Sequence, residues 1–268
     1  MNPFDSRLSA LLLGVSLNAV AMDLPTELDL SGDTDWTAGL SLFADDAASR
    51  VSLSGAVAGI ALGPLPRNAD LTAYDSKDNG QRLIALDITV DFGFGPIQPR
   101  DVVGWIDLTP SLYFDGSTAG VPAGARIDAL GHVRQTGAQA TLLSFDVTVL
   151  LPGGLVAADE DVVAWDGAAW SMFFDGSANG VPAPFDVDGY DRDPTTGTQY
   201  FSFDTSGIIA GVYFDDEDVV AFDGSDWSLV YDASANAEIT LAKGDLDALG
   251  VRLSRLFMDG FENAPMVE

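Results

Sequence analysis

Apolar and polar positions alternate with a period of two through most of the chain, in short runs separated by turn residues. In WSMFFD, Trp170, Met172 and Phe174 fall on one side while Ser171 and Phe173 fall on the other. WSLVYD repeats the pattern with Trp227, Leu229 and Tyr231. Such alternation, bounded by Asp, Gly and Ser, predicts β-strands. In DVVAW both sides are apolar, Val162 and Ala164 against Val163 and Trp165, as expected of a strand in a sheet covered on both faces. Asp166-Gly167, Asp175-Gly176, Asn179-Gly180 and Asp223-Gly224 supply the turns. One segment departs from this: Leu246, Leu249, Leu253 and Leu256 have helical spacing in DLDALGVRLSRLF. The repeat described next makes that segment two strands, and we follow the repeat.

The runs recur as a set. DVV followed by an aromatic starts at Asp101, Asp161 and Asp218, in steps of 60 and 57 residues. Fourteen residues after each Asp stands an aromatic-Asp pair: Phe114-Asp115, Phe174-Asp175 and Tyr231-Asp232. Next comes a short element, Asp128-Ala129-Leu130, Asp188-Gly189-Tyr190 and Asp247-Ala248-Leu249. An apolar run ending in Asp146, Asp204 or Asp259 completes the unit. A diverged earlier copy runs from Leu28-to-Trp36 through Asp45 and Asp70-Leu71-Thr72-Ala73-Tyr74 to Asp87, with AASRVSLSGAVAG as an insertion. Repeats of this size are read before anything else, because they decide the architecture. Four units of about four strands give an all-β, β-propeller-like fold, each blade burying its faces against its neighbours. A β-sandwich or two stacked β domains is the alternative assembly of the same hairpins.

The expected organisation is a signal peptide over residues 1–21, one four-repeat domain over 22–262 and a tail over 263–268. The repeats cover about 28–100, 101–160, 161–217 and 218–262. Leu8 to Val20 is mainly apolar and Ala19-Val20-Ala21 gives the small-x-small cleavage pattern. The apolar run is too short for a permanent membrane span. Export to the periplasm, cell surface or medium is therefore expected.

The chain has 268 residues, 41 Asp and Glu against 12 Lys and Arg, and a formal charge of −29. A surface of that sign repels phosphate, which argues against nucleic-acid and anionic-membrane partners. It attracts cations, calcium above all, or it serves solubility alone. Cysteine is absent, so no disulfide, thiol nucleophile or thiolate zinc site exists, and the single His132 excludes sites built on several imidazoles.

The FDGS and DEDVV repeats, with the DGFE near the chain end, resemble repeat-built exported bacterial proteins of unknown function. The order of the D-A element, the apolar-aromatic strand ending in F-D and the Trp-led strand also resembles the four-bladed hemopexin-like propellers, without the disulfide common in that family. These resemblances imply an envelope or extracellular setting and a four-bladed ring. They carry over no catalytic residue.

Three acidic constellations are candidates for chemistry. Asp186, Asp188, Asp191 and Asp193, beside Gly189, have the composition of a calcium loop without EF-hand spacing; the alternative is a solvated turn capping backbone amides. Asp70, Asp128, Asp188 and Asp247 recur at one repeat position, and in a closed ring they would face the central channel and a cation there. Alternatively, each bonds the amides of its own turn. The runs Asp159-Glu160-Asp161 and Asp215 to Asp218 either bind cations or are solvated. Trp36, Trp105, Trp165, Trp170 and Trp227 suit core packing better than sugar stacking.

No G-x-S-x-G or phosphate loop is present, and His132 has no partner by motif. The leading expectation is a secreted, non-enzymatic binding or structural module, calcium-stabilised, with an extracellular protein or a glycan as partner. The alternative is a carbohydrate-active hydrolase or lyase on a propeller, whose paired carboxylates leave no motif.

Overall fold

The period-two runs do form strands, and they assemble as four four-stranded antiparallel sheets. The computed structural model describes residues 25, 27–31, 36–38, 41–43, 49–52, 57–60, 62, 65, 66, 68–77, 79–107, 109–133, 140–235 and 245–252. The expected signal segment, the DGFE ending and the tail lie outside the described residues.

Blade 1 holds, from its inner to its outer edge, Ala248–Arg252, Glu27–Ser31, Ser49–Ser52 and Val57–Gly59. Blade 2 holds Leu71–Ser76, Arg82–Leu86, Val102–Ile106 and Thr109–Phe114. Blade 3 holds Ile127–His132, Thr141–Phe145, Val162–Trp165 and Trp170–Phe174. Blade 4 holds Val187–Arg192, Gln199–Phe203, Val219–Phe222 and Trp227–Tyr231.

The four inner strands touch in cyclic order, blade 1 to 2 to 3 to 4 and back to 1. That cycle makes the molecule a four-bladed, propeller-like ring and sets aside the sandwich. Opposite inner strands also approach within 8 Å, so the axis is narrow. The sheets are phased differently from the sequence repeat: each DVV strand is the third strand of its blade.

Blade 1 is assembled from both ends of the chain. Ala248–Arg252 pairs antiparallel with Glu27–Ser31, Leu249 opposite Leu30 and Val251 opposite Leu28. The segment with helical leucine spacing is therefore extended over its described part, because its leucines complete a core with Leu28, Leu30 and Tyr231.

Between its second and third strands every blade carries a two-stranded hairpin that periodicity alone did not single out. These are Trp36–Ala38 with Ser41–Phe43, Val90–Asp91 with Pro96–Ile97, Val149–Leu151 with Leu155–Ala157, and Gly207–Ile209 with Val212–Phe214. Second strands run back toward the end where inner strands begin, so all four hairpins rise on that face.

The repeated Asp residues are mostly hinge pins of the fold. In the three DVV copies one carboxylate accepts two amides. Asp101 binds Gly116 N and Gln98 N, Asp161 binds Gly176 N and Ala158 N, and Asp218 binds Ala233 N and Asp215 N, all at 2.8–3.0 Å. The Asp of the F-D pair caps the next turn, Asp115 accepting from Thr118 N and Asp175 from Ala178 N. Gly follows these because the chain passes close: a Cβ on Gly176 would lie 2.3 Å from the Glu160 carbonyl oxygen, and one on Gly116 would lie 2.2 Å from that of Arg100.

Trp105, Trp165, Trp170 and Trp227 are core residues, Trp165 half-buried against Trp170. Trp105, Trp170 and Trp227 are buried, and the Trp170 and Trp227 indoles donate to the Ala119 and Asn179 carbonyls at 2.8 and 3.0 Å. His132 is buried between blades 2 and 3, its Nδ1 paired with the Asp75 carboxylate. Tyr190 rests on Gly131 and Tyr74 on Gly250, so side chains of opposite blades fill the space left by glycines on the inner strands between them.

Candidate cation site at the channel mouth

Each inner strand opens with the same four-residue pattern: an ionisable residue, an aliphatic one, a polar one and a small one. The copies are DLTA at 70–73, RIDA at 126–129, DVDG at 186–189 and DLDA at 245–248. In blades 2, 3 and 4 the register slips at the third position. Ile127 faces Phe145 and Ala129 faces Ser144, so Asp128 has no cross-strand partner, and Thr72 and Asp188 sit in equivalent bulges. A bulge re-aims its extra side chain. Here it aims Thr72, Asp128 and Asp188 at the mouth of the ring.

The result is a pit of about 240 Å³ lined by Asp70, Thr72, Asp87, Arg126, Asp128, Asp188 and Asp247. The four residues expected to form a ring thus do line one cavity, with one correction of register. The blade 2 counterpart of Asp128, Asp188 and Asp247 is Thr72, whose hydroxyl donates to the Ile127 carbonyl at 2.6 Å. Asp70 stands two residues earlier, equivalent to Arg126, Asp186 and Asp245. The shared strand-end bond shows this: Asp87, Asp146 and Asp204 each accept the amide of Asp70, Arg126 and Asp186 respectively, at 2.7, 2.7 and 3.0 Å.

Within the mouth Asp128, Asp186 and Asp188 converge, each offering one carboxylate oxygen, and these three lie within 4.8 Å of one another. Arg126 Nε holds Asp128 Oδ1 at 2.8 Å, while Asp128 Oδ2 and Asp186 Oδ1 are buried with no hydrogen-bond partner among the described residues. Asp128 is only 2% exposed. Leaving carboxylate oxygens unpaired in that setting is costly. Burial pushes the Asp188 carboxyl up to about 10, helped by the charges of Asp245, Asp128 and Asp186. Burial, then the charge of Asp128, pushes Asp186 up to about 8. Burial raises Asp128 to about 7 against the pull of Arg126.

Asp191 and Asp193 do not join this group. Residues 186–193 are not a loop. They run along the inner strand Val187–Arg192, where each residue advances about 3.3 Å, and the second pair of acids ends up at the far end. Asp191 accepts the Val251 amide of the neighbouring inner strand at 2.7 Å, and Asp193 caps a turn through Thr195 N and Thr196 N. In the third acidic run, Asp161 and Asp218 are the buried clamps described above.

Sequence reasoning missed Arg126 and Thr72. The signal was present in the DLTA, RIDA, DVDG and DLDA alignment, but anchoring on the Asp nearest each Ala placed Asp70 two positions too late.

Hard oxygen ligands with this spacing suit a divalent cation. Calcium takes 6–8 oxygens at about 2.3–2.6 Å, so ligands on opposite sides of it lie roughly 5 Å apart. Each of the three carboxylates brings one oxygen into that cluster, so the remaining places would fall to water or to second oxygens. Magnesium would demand a tighter octahedron that keeps several waters.

No protein-family model matches the sequence, and no curated protein matches it either. Solved structures similar to the chain include a selenomethionine-substituted virginiamycin B lyase from Staphylococcus aureus, 10% identical over 76% of this chain and 72% of that one, with a TM-score of 0.32. A streptogramin B lyase is 8% identical over 80% and 70%, with a TM-score of 0.34. A protein of unknown function from Bacteroides caccae is 9% identical over 85% and 99%, with a TM-score of 0.36.

Proposed function

We propose that this is an exported, non-enzymatic binding module whose ring is stabilised by calcium held at the channel mouth by Asp128, Asp186 and Asp188. One observation carries the reading: three carboxylates from two adjacent blades converge, and two of their oxygens are buried without a partner among the described residues. An ion at that point would tie blade 3 to blade 4 and replace repulsion with coordination. Export is inferred from the apolar N-terminal segment and its cleavage pattern. Among the described residues the pit lining holds no aromatic side chain for a sugar to stack on, and Trp105, Trp170 and Trp227 are buried while Trp165 packs half-buried against the core, which favours the module over a carbohydrate-active enzyme.

The test is thermal unfolding in EDTA against millimolar calcium, with magnesium as control. Binding confined to the folded state raises the midpoint as calcium exceeds its dissociation constant. The expected result is a calcium-selective rise that D128N and D188N each abolish. Equal responses to calcium and magnesium, or a full response in both variants, would sink the assignment.

A further inference from the structure

The face that carries the pit also carries the hairpins, and on two adjacent blades their outer surfaces are apolar. In blade 3, Leu150 and Val156 face each other across the hairpin and are 64% and 56% exposed. In blade 4 the corresponding pair is Ile208 and Tyr213, each 59% exposed. The opposite sides of both hairpins are anchored in the core through Val149, Leu151, Ile209 and Phe214, so the exposed pairs stand on a fixed support. In blade 2 the same positions are Asp91 and Pro96. Blade 2 adds the exposed Phe94 at its hairpin tip and Ile88 after its strand-end Asp87, 45% and 40% exposed, but has no apolar cross-strand pair facing out. At the rim, Val147 directly follows the strand-end Asp146, continuing the apolar surface toward the pit.

Apolar clusters rimmed by charge mark interaction sites. The charge here selects the occupant. Among the described residues the pit lining holds five aspartates, Asp70, Asp87, Asp128, Asp188 and Asp247, against one cationic side chain, Arg126. A second copy of a chain with charge −29 would be repelled.

We propose that the mouth face is a docking surface for a basic peptide segment of another protein, with apolar side chains lying on Leu150–Val156 and Ile208–Tyr213 and a lysine or arginine entering the acidic pit. This goes beyond the calcium reading and does not require it.

The probe is a fluorescein-labelled peptide of alternating Leu and Lys, followed by anisotropy at about 0.15 M salt. Ser–Lys and Leu–Glu peptides of equal length are the controls, and each titration is run in calcium and in EDTA. The expected outcome is one-to-one binding of the Leu–Lys peptide in both buffers. The double variants L150S/V156S and I208S/Y213S, which leave the net charge unchanged, each weaken it at least about fivefold, as loss of central apolar contacts does. Undiminished binding by both variants, or equal binding of the Ser–Lys peptide, would reduce the effect to diffuse charge attraction and overturn the proposal. So would a wild-type dimer in sedimentation that I208S/Y213S dissolves, since it would assign the face to self-association.

Discussion

Asp161 accepts two backbone amides from inside the protein, one three residues before it and one fifteen residues after. Removing that carboxylate strands both donors. Asp161→Ala is expected to cost on the order of 2–4 kcal/mol in denaturant unfolding, and Asp161→Asn less, because one amide keeps an acceptor. Asp101 and Asp218 make the same pair of bonds, so Asp101→Ala and Asp218→Ala should cost similar amounts. A near-zero cost in all three would mean the clamp is incidental. This use of Asp was legible only as an alternative, because a carboxylate bonded to amides and one bonded to a cation look the same in sequence. The burial of its neighbours separates them, and burial follows from which strand is third in the blade.

Among the elements, the inner strands hold the chemistry. Their bulges explain both what was readable and what was not. That Asp128, Asp188 and Asp247 share a position followed from the repeat; that Asp186 belongs with them while Asp191 and Asp193 do not required knowing that residues 187–192 are extended. The raised carboxyls set a pH dependence. Unfolded, they ionise near the ordinary carboxylate value; folded and free of metal, they stay protonated until about 7 for Asp128, 8 for Asp186 and 10 for Asp188. Folding therefore favours proton binding, and the metal-free protein loses stability as pH rises from about 4 through those values. In EDTA the unfolding midpoint should fall between about pH 5 and about pH 8, and calcium should restore it at the higher pH and hardly at the lower, since coordination displaces protons. Asp188→Asn should flatten the fall and leave the metal-free protein more stable at about pH 8. A midpoint that climbs across this range in EDTA would contradict the assignment.

At the scale of the whole molecule the ring has no covalent clasp, since the chain contains no cysteine. It closes where Ala248–Arg252 lies against Glu27–Ser31. Truncation before Asp245 removes the inner strand of blade 1, one wall of the pit and the cover over the blade 2 inner edge. Loss of a single cooperative transition, with calcium no longer raising the midpoint, is expected in calorimetry. Unchanged cooperativity would mean that three blades suffice. The number of blades was legible because four landmarks recur in order. Their phase was not, because a cyclic arrangement can be cut at any strand and the sequence marks the third strand, DVV, most strongly.

That closure also orders assembly in time. Glu27–Ser31 is made early, yet its partner on the axis side comes more than 200 residues later. Blades 2, 3 and 4 draw all their strands from contiguous chain and can form by local pairing, whereas blade 1 must wait for the last strand to arrive. Until then the first strands present an unsatisfied edge and an apolar face. The slowest and most aggregation-exposed moment in the life of this protein should thus be the interval between finishing three blades and seating the fourth.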